Sequence, residues 1–161
     1  MKQEILEAVL KVHELFKSRS LTLSVAESCT GGLISHYITS LPGASVFFRA
    51  GIVSYSEEAK KIFLGVSLRT IIDFGIVSEK TAREMAERAR MIAKTDFSIS
   101  TTGNLGPEVL EEKEKGLVYI AVSGRGKTVS RELKLKGDRD ANKEESALEA
   151  LRLLIETAEE K

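Results

Sequence analysis

Apolar residues at Ile5, Leu6, Val9, Leu10, Val12 and Leu15-Phe16 keep to one face at helical spacing, which predicts a helix over 3–18. The period then shortens. Leu21, Leu23 and Val25 belong to a run that reads as a buried strand over 21–28. A helical pattern resumes over 33–41 and stops at Pro42-Gly43. Val, Phe, Ile and Tyr crowd positions 46–55, a second strand. Ser56 is an N-cap, with Glu57 and Glu58 in the favoured first turn of a helix that runs to Leu64-Gly65. Ser78 caps a further helix over 79–94, with Met85, Ala89 and Ile92 assigned to its inner face. A strand over 97–101 leads into a Gly/Pro-punctuated loop, 102–107, and a charged segment, 108–115. Strands over 117–122 and 129–135 flank Gly124-Arg125-Gly126 as a hairpin, and a helix over 142–158 closes the chain.

Helices alternating with strands, followed by a hairpin, predict a three-layer α/β/α sandwich on a mixed, mostly parallel sheet. At 161 residues this is one domain, 1–161. Ligands of such sheets gather at the carboxyl ends of the parallel strands. Those ends carry Ser28, Tyr55 and Thr102, so the three are expected on one rim.

Composition narrows the classes. Acidic and basic residues balance at 24 each, which gives no electrostatic reason to expect nucleic acid or an anionic membrane as partner. No apolar run is long enough for a bilayer, and Met1-Lys2-Gln3-Glu4 is not a signal peptide, so a cytoplasmic protein is expected. A single cysteine excludes an internal disulfide. His13 and His36 form no ligand cluster; both are read as exposed or core-edge residues, and no metal is expected. One Gln and two Asn make an amide-poor chain, which points to heat adaptation and a melting temperature above the mesophilic range of about 45–65 °C.

The most informative stretch is Val25-Ala26-Glu27-Ser28-Cys29-Thr30-Gly31-Gly32. A strand entering a small-residue turn and then a helix can present a hydroxyl or thiol beside free backbone N–H groups. Ser28 and Cys29 are both nucleophile candidates. Serine needs a base, and neither histidine is placed for it. A lysine can serve if burial lowers its pKa. Lys60 and Lys61 both lie early in the helix after Ser56, where the macrodipole disfavours an ammonium, and periodicity does not separate them. Tyr55 could relay a proton or orient the lysine. Gly103 and Gly106-Pro107 could close over a substrate. Arg139, in Gly137-Asp138-Arg139-Asp140, could hold a phosphate or carboxylate. Gly124-Arg125-Gly126-Lys127 looks like a phosphate loop but sits between two strands, and reads as a hairpin turn.

Ala26-Glu27-Ser28-Cys29-Thr30-Gly31-Gly32, Leu41-Pro42-Gly43-Ala44-Ser45, Tyr55-Ser56-Glu57-Glu58-Ala59-Lys60 with Leu64-Gly65-Val66, Gly75-Ile76-Val77-Ser78 and Gly137-Asp138-Arg139 occur in this order. Together they resemble the CinA C-terminal domain, the competence-damage-inducible protein family, in its standalone form. The resemblance implies an α/β/α sandwich, commonly oligomeric. It also implies nicotinamide-nucleotide amidase activity, hydrolysing nicotinamide mononucleotide to nicotinate mononucleotide and ammonia without metal or cofactor. The serine–lysine pair with its assisting tyrosine falls on Ser28, Lys60 and Tyr55, which selects Lys60 over Lys61. Cys29, Thr30, Gly31, Gly32, Thr102, Gly103 and Arg139 are the matching candidates for substrate contact, with amides of the 30–32 turn facing the oxyanion. The alternatives are a pyridine-nucleotide-binding module without turnover and an amidase for another small carboxamide. The chain departs from the family at Asn104-Leu105, after Gly106-Pro107 and at Lys143, where arginine is usual.

Overall fold

The computed structural model describes residues 1–160. Helix α1 (Gln3–Ser18) buries Ile5, Ala8, Val9, Val12, Leu15 and Phe16. Strand β1 (Leu23–Glu27) is buried along its whole length, as a central strand covered on both faces must be. Helix α2 (Leu33–Thr39) follows. The predicted second strand begins later than its apolar content implies. Gly43, at φ 91°, opens a 3-10 turn over Ala44–Val46, and β2 is confined to Phe48–Val53.

Helix α3 (Glu57–Leu64) is capped by Ser56, whose hydroxyl accepts from the Ala59 amide, and ends at Gly65 with φ 72°. Helix α4 (Leu68–Phe74) was not expected. It buries Ile71 alone and leaves Leu68, Ile72 and Phe74 exposed, so no helical stripe marks it. Helix α5 (Glu79–Ala93) starts at the Ser78 cap; Met85 and Ala89 face inward, but Ile92, assigned to the same face, is exposed. Strands β3 (Phe97–Gly103), β4 (Leu117–Gly124) and β5 (Lys127–Lys134) complete the sheet. Helix α6 (Arg139–Glu159) begins three residues before the expected start because Asp138 caps it, accepting from the Ala141 amide at 2.8 Å.

Strand order is β2-β1-β3-β4-β5, with β1 parallel to both β2 and β3, and β4 antiparallel to both its neighbours. The result is an α/β fold on a five-stranded mixed sheet. Alternation along the strands feeds two unlike layers. Val25, Phe97, Ile99, Val118, Ile120 and Val122 join the large core with α1, α2 and α6. Ala26 and Ala121 face α5, which lies close on Ala82, Ala86, Met85 and Ala89. His13 is inside the large core, its Nε2–H donating to the Ile38 carbonyl at 2.8 Å and its ring edge-on to Phe47.

From β1 the chain runs to β2 on one side and then to β3 on the other. The carboxyl ends of β1 and β3 therefore diverge at a switch point, where a crevice forms. Among the described residues no helix is long and apolar enough to cross a membrane.

Candidate active site

The last residue of β1, Glu27, is completely buried. A carboxylate is tolerated there only if it is fully hydrogen-bonded. Its Oε1 accepts from the Thr30 hydroxyl at 2.6 Å and the Ile34 amide at 3.0 Å. Its Oε2 accepts from the Ser35 amide at 3.0 Å and the Ser35 hydroxyl at 2.8 Å. The protein's own carboxylate thus fills the N-terminus of α2, where the free amides and the macrodipole attract an anion. The turn between them carries Ser28 and Cys29.

Lys60, one turn into α3, reaches back under the sheet edge to this turn and has no exposed surface. Its Nζ lies 2.8 Å from Ser28 Oγ, 2.9 Å from the Ser54 carbonyl and 3.4 Å from the Tyr55 carbonyl. The anchor is short because the Ser54 amide donates to the Glu27 carbonyl at 2.8 Å, tying the end of β2 to the end of β1. Lys61 remains partly exposed, so burial separates the two lysines that periodicity leaves equivalent.

Burial lowers the Lys60 pKa to about 8, and the Glu111 and Glu57 carboxylates oppose the shift only in part. An uncharged Lys60 has two N–H bonds and one lone pair. With the N–H bonds on the two carbonyls, the lone pair faces the Ser28 hydroxyl. That is the arrangement of a base beside an alcohol nucleophile. Adjacent Cys29 differs: burial pushes its thiol up to about 12, so it stays protonated and packs as a small core residue.

Ser28 and Cys29 floor a cleft of about 480 Å³. Tyr55, Gly103, Leu105 and Arg139 also line it. Tyr55 is well exposed, and its hydroxyl accepts from Arg139 at 3.0 Å. It contacts Lys60 through its carbonyl, and its phenol bonds to neither Ser28 nor Lys60. The other end of the Arg139 fork donates to the Gly106 carbonyl at 2.7 Å. Thr102 does not join the rim. It points to the α5 face, where its hydroxyl donates to the Ile76 carbonyl at 2.7 Å, because alternation sends it away from Thr101 and Gly103.

Amides of the turn also divide. Gly31 N–H donates to the Ser28 carbonyl and Leu33 N–H to the Thr30 carbonyl, so Gly31 is not a free donor to an oxyanion. Gly31 and Gly32 both adopt positive φ, 60° and 101°, and shape the turn. The amides of Cys29, Thr30 and Gly32 have no protein acceptor among the described residues, and that of Cys29 immediately follows the nucleophile candidate.

Two residues of the site, Thr101 and Ser54, escaped the sequence reading, and Asn104 was noted only as a departure from the family. Thr101 links Thr30 to Ser28, the Ser54 carbonyl anchors Lys60, and buried Asn104 holds the cleft wall. Asn104 bonds the Leu110 carbonyl and amide, at 3.2 and 3.0 Å, from one side chain. A carboxylate closing the buried strand, as at Glu27, was the available signal for the first of these networks.

Residues 6–158 match the CinA C-terminal domain. The chain belongs to that family. It is 46% identical over 149 residues to a provisionally named competence-damage inducible protein of Caldanaerobacter subterraneus, covering 92% of this chain and 35% of that protein. This CinA-domain chain therefore spans about a third of the length of the curated relatives it matches. Among solved structures it is similar to competence damage-inducible protein A of Klebsiella pneumoniae, with 30% identity, a TM-score of 0.93 and coverage of 98% of this chain and 99% of that one. It is also similar to the competence/damage inducible protein CihA of Agrobacterium tumefaciens, with 34% identity, a TM-score of 0.93 and coverage of 97% and 96%.

Proposed function

We propose that this protein is a serine–lysine amidohydrolase that converts nicotinamide mononucleotide to nicotinate mononucleotide and ammonia. One observation carries the reading: a fully buried lysine, its pKa lowered to about 8, lies 2.8 Å from a serine hydroxyl at the floor of a cleft. Structural ion pairs also perturb lysines, but they raise the pKa; here the amine is made easier to deprotonate. The nucleotide substrate comes from the family resemblance, and the Arg139 guanidinium at the cleft wall supports it as a site for the phosphate.

In this mechanism neutral Lys60 takes the Ser28 proton as Oγ bonds to the carboxamide carbon. The C=O electrons move to oxygen, and the Cys29 amide donates to the oxyanion. Collapse expels ammonia, which leaves with the proton held on Lys60. A water then loses a proton to Lys60, attacks the acyl carbon and releases the carboxylate, and the proton returns to Ser28. Tyr55 supplies an aromatic wall and, through its carbonyl, an anchor for the base.

The test is ammonia release from nicotinamide mononucleotide, with nicotinamide, its riboside and other small carboxamides alongside. Turnover should require the nucleotide and vanish in Ser28→Ala and Lys60→Ala proteins that remain folded. Full turnover by Ser28→Ala would eliminate serine chemistry. Calorimetric binding of the nucleotide without ammonia release would favour the binding-module alternative.

A further inference from the structure

Glu27 and Lys60 are both titratable and wholly buried, yet no hydrogen bond joins them directly. Lys60 faces the candidate nucleophile directly. Glu27 reaches it by a longer route. A carboxylate only accepts hydrogen bonds, so the Thr30 hydroxyl, 2.6 Å away, must be the donor. Thr30 has then used its one proton. Its second contact, 2.8 Å to the Thr101 hydroxyl, must be donated by Thr101. Thr101 has in turn no proton left, and its oxygen can only accept from the Ser28 amide, 3.4 Å away. That amide also donates to the Thr101 carbonyl at 3.1 Å.

The acceptor-only oxygens of Glu27 therefore fix the direction of every bond in a string: Ser28 N–H to Thr101, Thr101 to Thr30, Thr30 to Glu27. The four members are buried, so no water competes for these protons and each bond polarises the next. The string pins the backbone of Ser28 from behind while Lys60 holds its hydroxyl from the front. Together with the Thr101 carbonyl it commits the Ser28 amide, while the Cys29 amide has no protein acceptor among the described residues. Without an acceptor-only oxygen at 27 the order would be lost, and the Thr30 and Thr101 hydroxyls could then turn either way.

We propose that Glu27 is a positioning residue for the nucleophile, acting through Thr30 and Thr101 on the Ser28 backbone. This rests on the reading of Ser28 as nucleophile, but on no particular substrate. A fluorophosphonate probe, which phosphonylates an activated serine, therefore tests it directly.

In Thr101→Val, which keeps shape and loses the hydroxyl, the labelling rate of Ser28 should fall about 10- to 100-fold, the scale of a misplaced reacting atom. Glu27→Gln should do the same, since its amide group meets the Ser35 donors with another donor. Thr101→Ser should restore the rate to within about threefold, because the hydroxyl alone is needed. If the variants melt earlier yet label at the wild-type rate per folded molecule, Glu27 only caps α2 and the proposal is overturned. If Glu27→Gln does not fold, the Thr101 pair decides alone. Failure to label wild-type Ser28 at all would instead refute the nucleophile reading itself. Labelling without hydrolysis of nicotinamide mononucleotide would refute only the substrate.

Discussion

Two glycine-containing turns of this chain both leave a strand and behave oppositely. The turn over 28–32 leaves a central strand buried on both faces, and every side chain around it is committed: Glu27 to α2, Thr30 to Thr101, Ser28 to Lys60. Between β4 and β5, Arg125 and Gly126 form a two-residue hairpin turn, at φ 52° and 75°, and a Cβ on Gly126 would meet nothing within 4 Å. Arg125 lies over the Phe97 ring, and Lys127 pairs with Glu160 on the surface. Glycine and a basic residue after a strand are thus no sign of a site by themselves. What differs is the strand before the turn: one ends at the switch point of the sheet, the other at its antiparallel margin.

The sharpest way to break this contrast is to exchange the lysines. Lys60→Ala should lower the rate of ammonia release by about a thousandfold or more, as loss of a catalytic base does, while Lys127→Ala should leave it within about twofold. Equal losses at both positions would dissolve the distinction.

Next in size is a pH effect. Lys60 has a folded pKa of about 8 against an ordinary 10.5. Between these values the unfolded chain binds a proton that the folded one has shed, so stability rises with pH across that window. The interval corresponds to about 3 kcal/mol. Denaturant unfolding of wild type should gain up to that much on Lys60→Met between pH 8 and 10.5, and a constant difference would show that Lys60 is not buried as charged-form-averse. The acylation rate should correspondingly climb with pH and level off near 8.

Smaller still are the glycines. Gly31→Ala and Gly126→Ala both force a side chain into the left-handed region and should each cost about 1 kcal/mol in thermal unfolding. Only Gly31→Ala should also slow turnover, because its turn carries Ser28. The least effect is expected at Cys29. Cys29→Ala should change kcat by less than about threefold, and iodoacetamide should hardly modify the native thiol, since it stays protonated and covered.

The fold was legible wherever burial followed a period. The stripe of α1 announces itself through large apolar residues, and β1 and β3 through the Leu, Val, Phe and Ile that point into the large core between small polar ones. Helix α4 did not, since a single buried residue cannot make a stripe. Ile92 was misassigned for a related reason: on α5 the inward face is built from alanines and Met85, and the larger residue sits outside. At the site, Ser28 and Lys60 share a hydrogen bond across 32 positions, a proximity that rests on the β1–β2 register and on no local pattern. Thr102 misled by one residue, which in a strand means the opposite face.

The wall over 104–116 is fastened at several points. Asn104 grips Leu110, the Glu111 carboxylate accepts from the Ile76 and Val77 amides at 2.9 Å, and Lys113 donates to the Phe74 and Val77 carbonyls at 3.0 and 2.6 Å. None of these fasteners belongs to the Ser28–Lys60 pair. Exchanges of the Glu108 and Val109 side chains, hung between the fastened points, are therefore expected to leave the Ser28–Lys60 pair in place. On the proposed reading, what the cleft grasps and how it reacts are carried by separate parts of the chain.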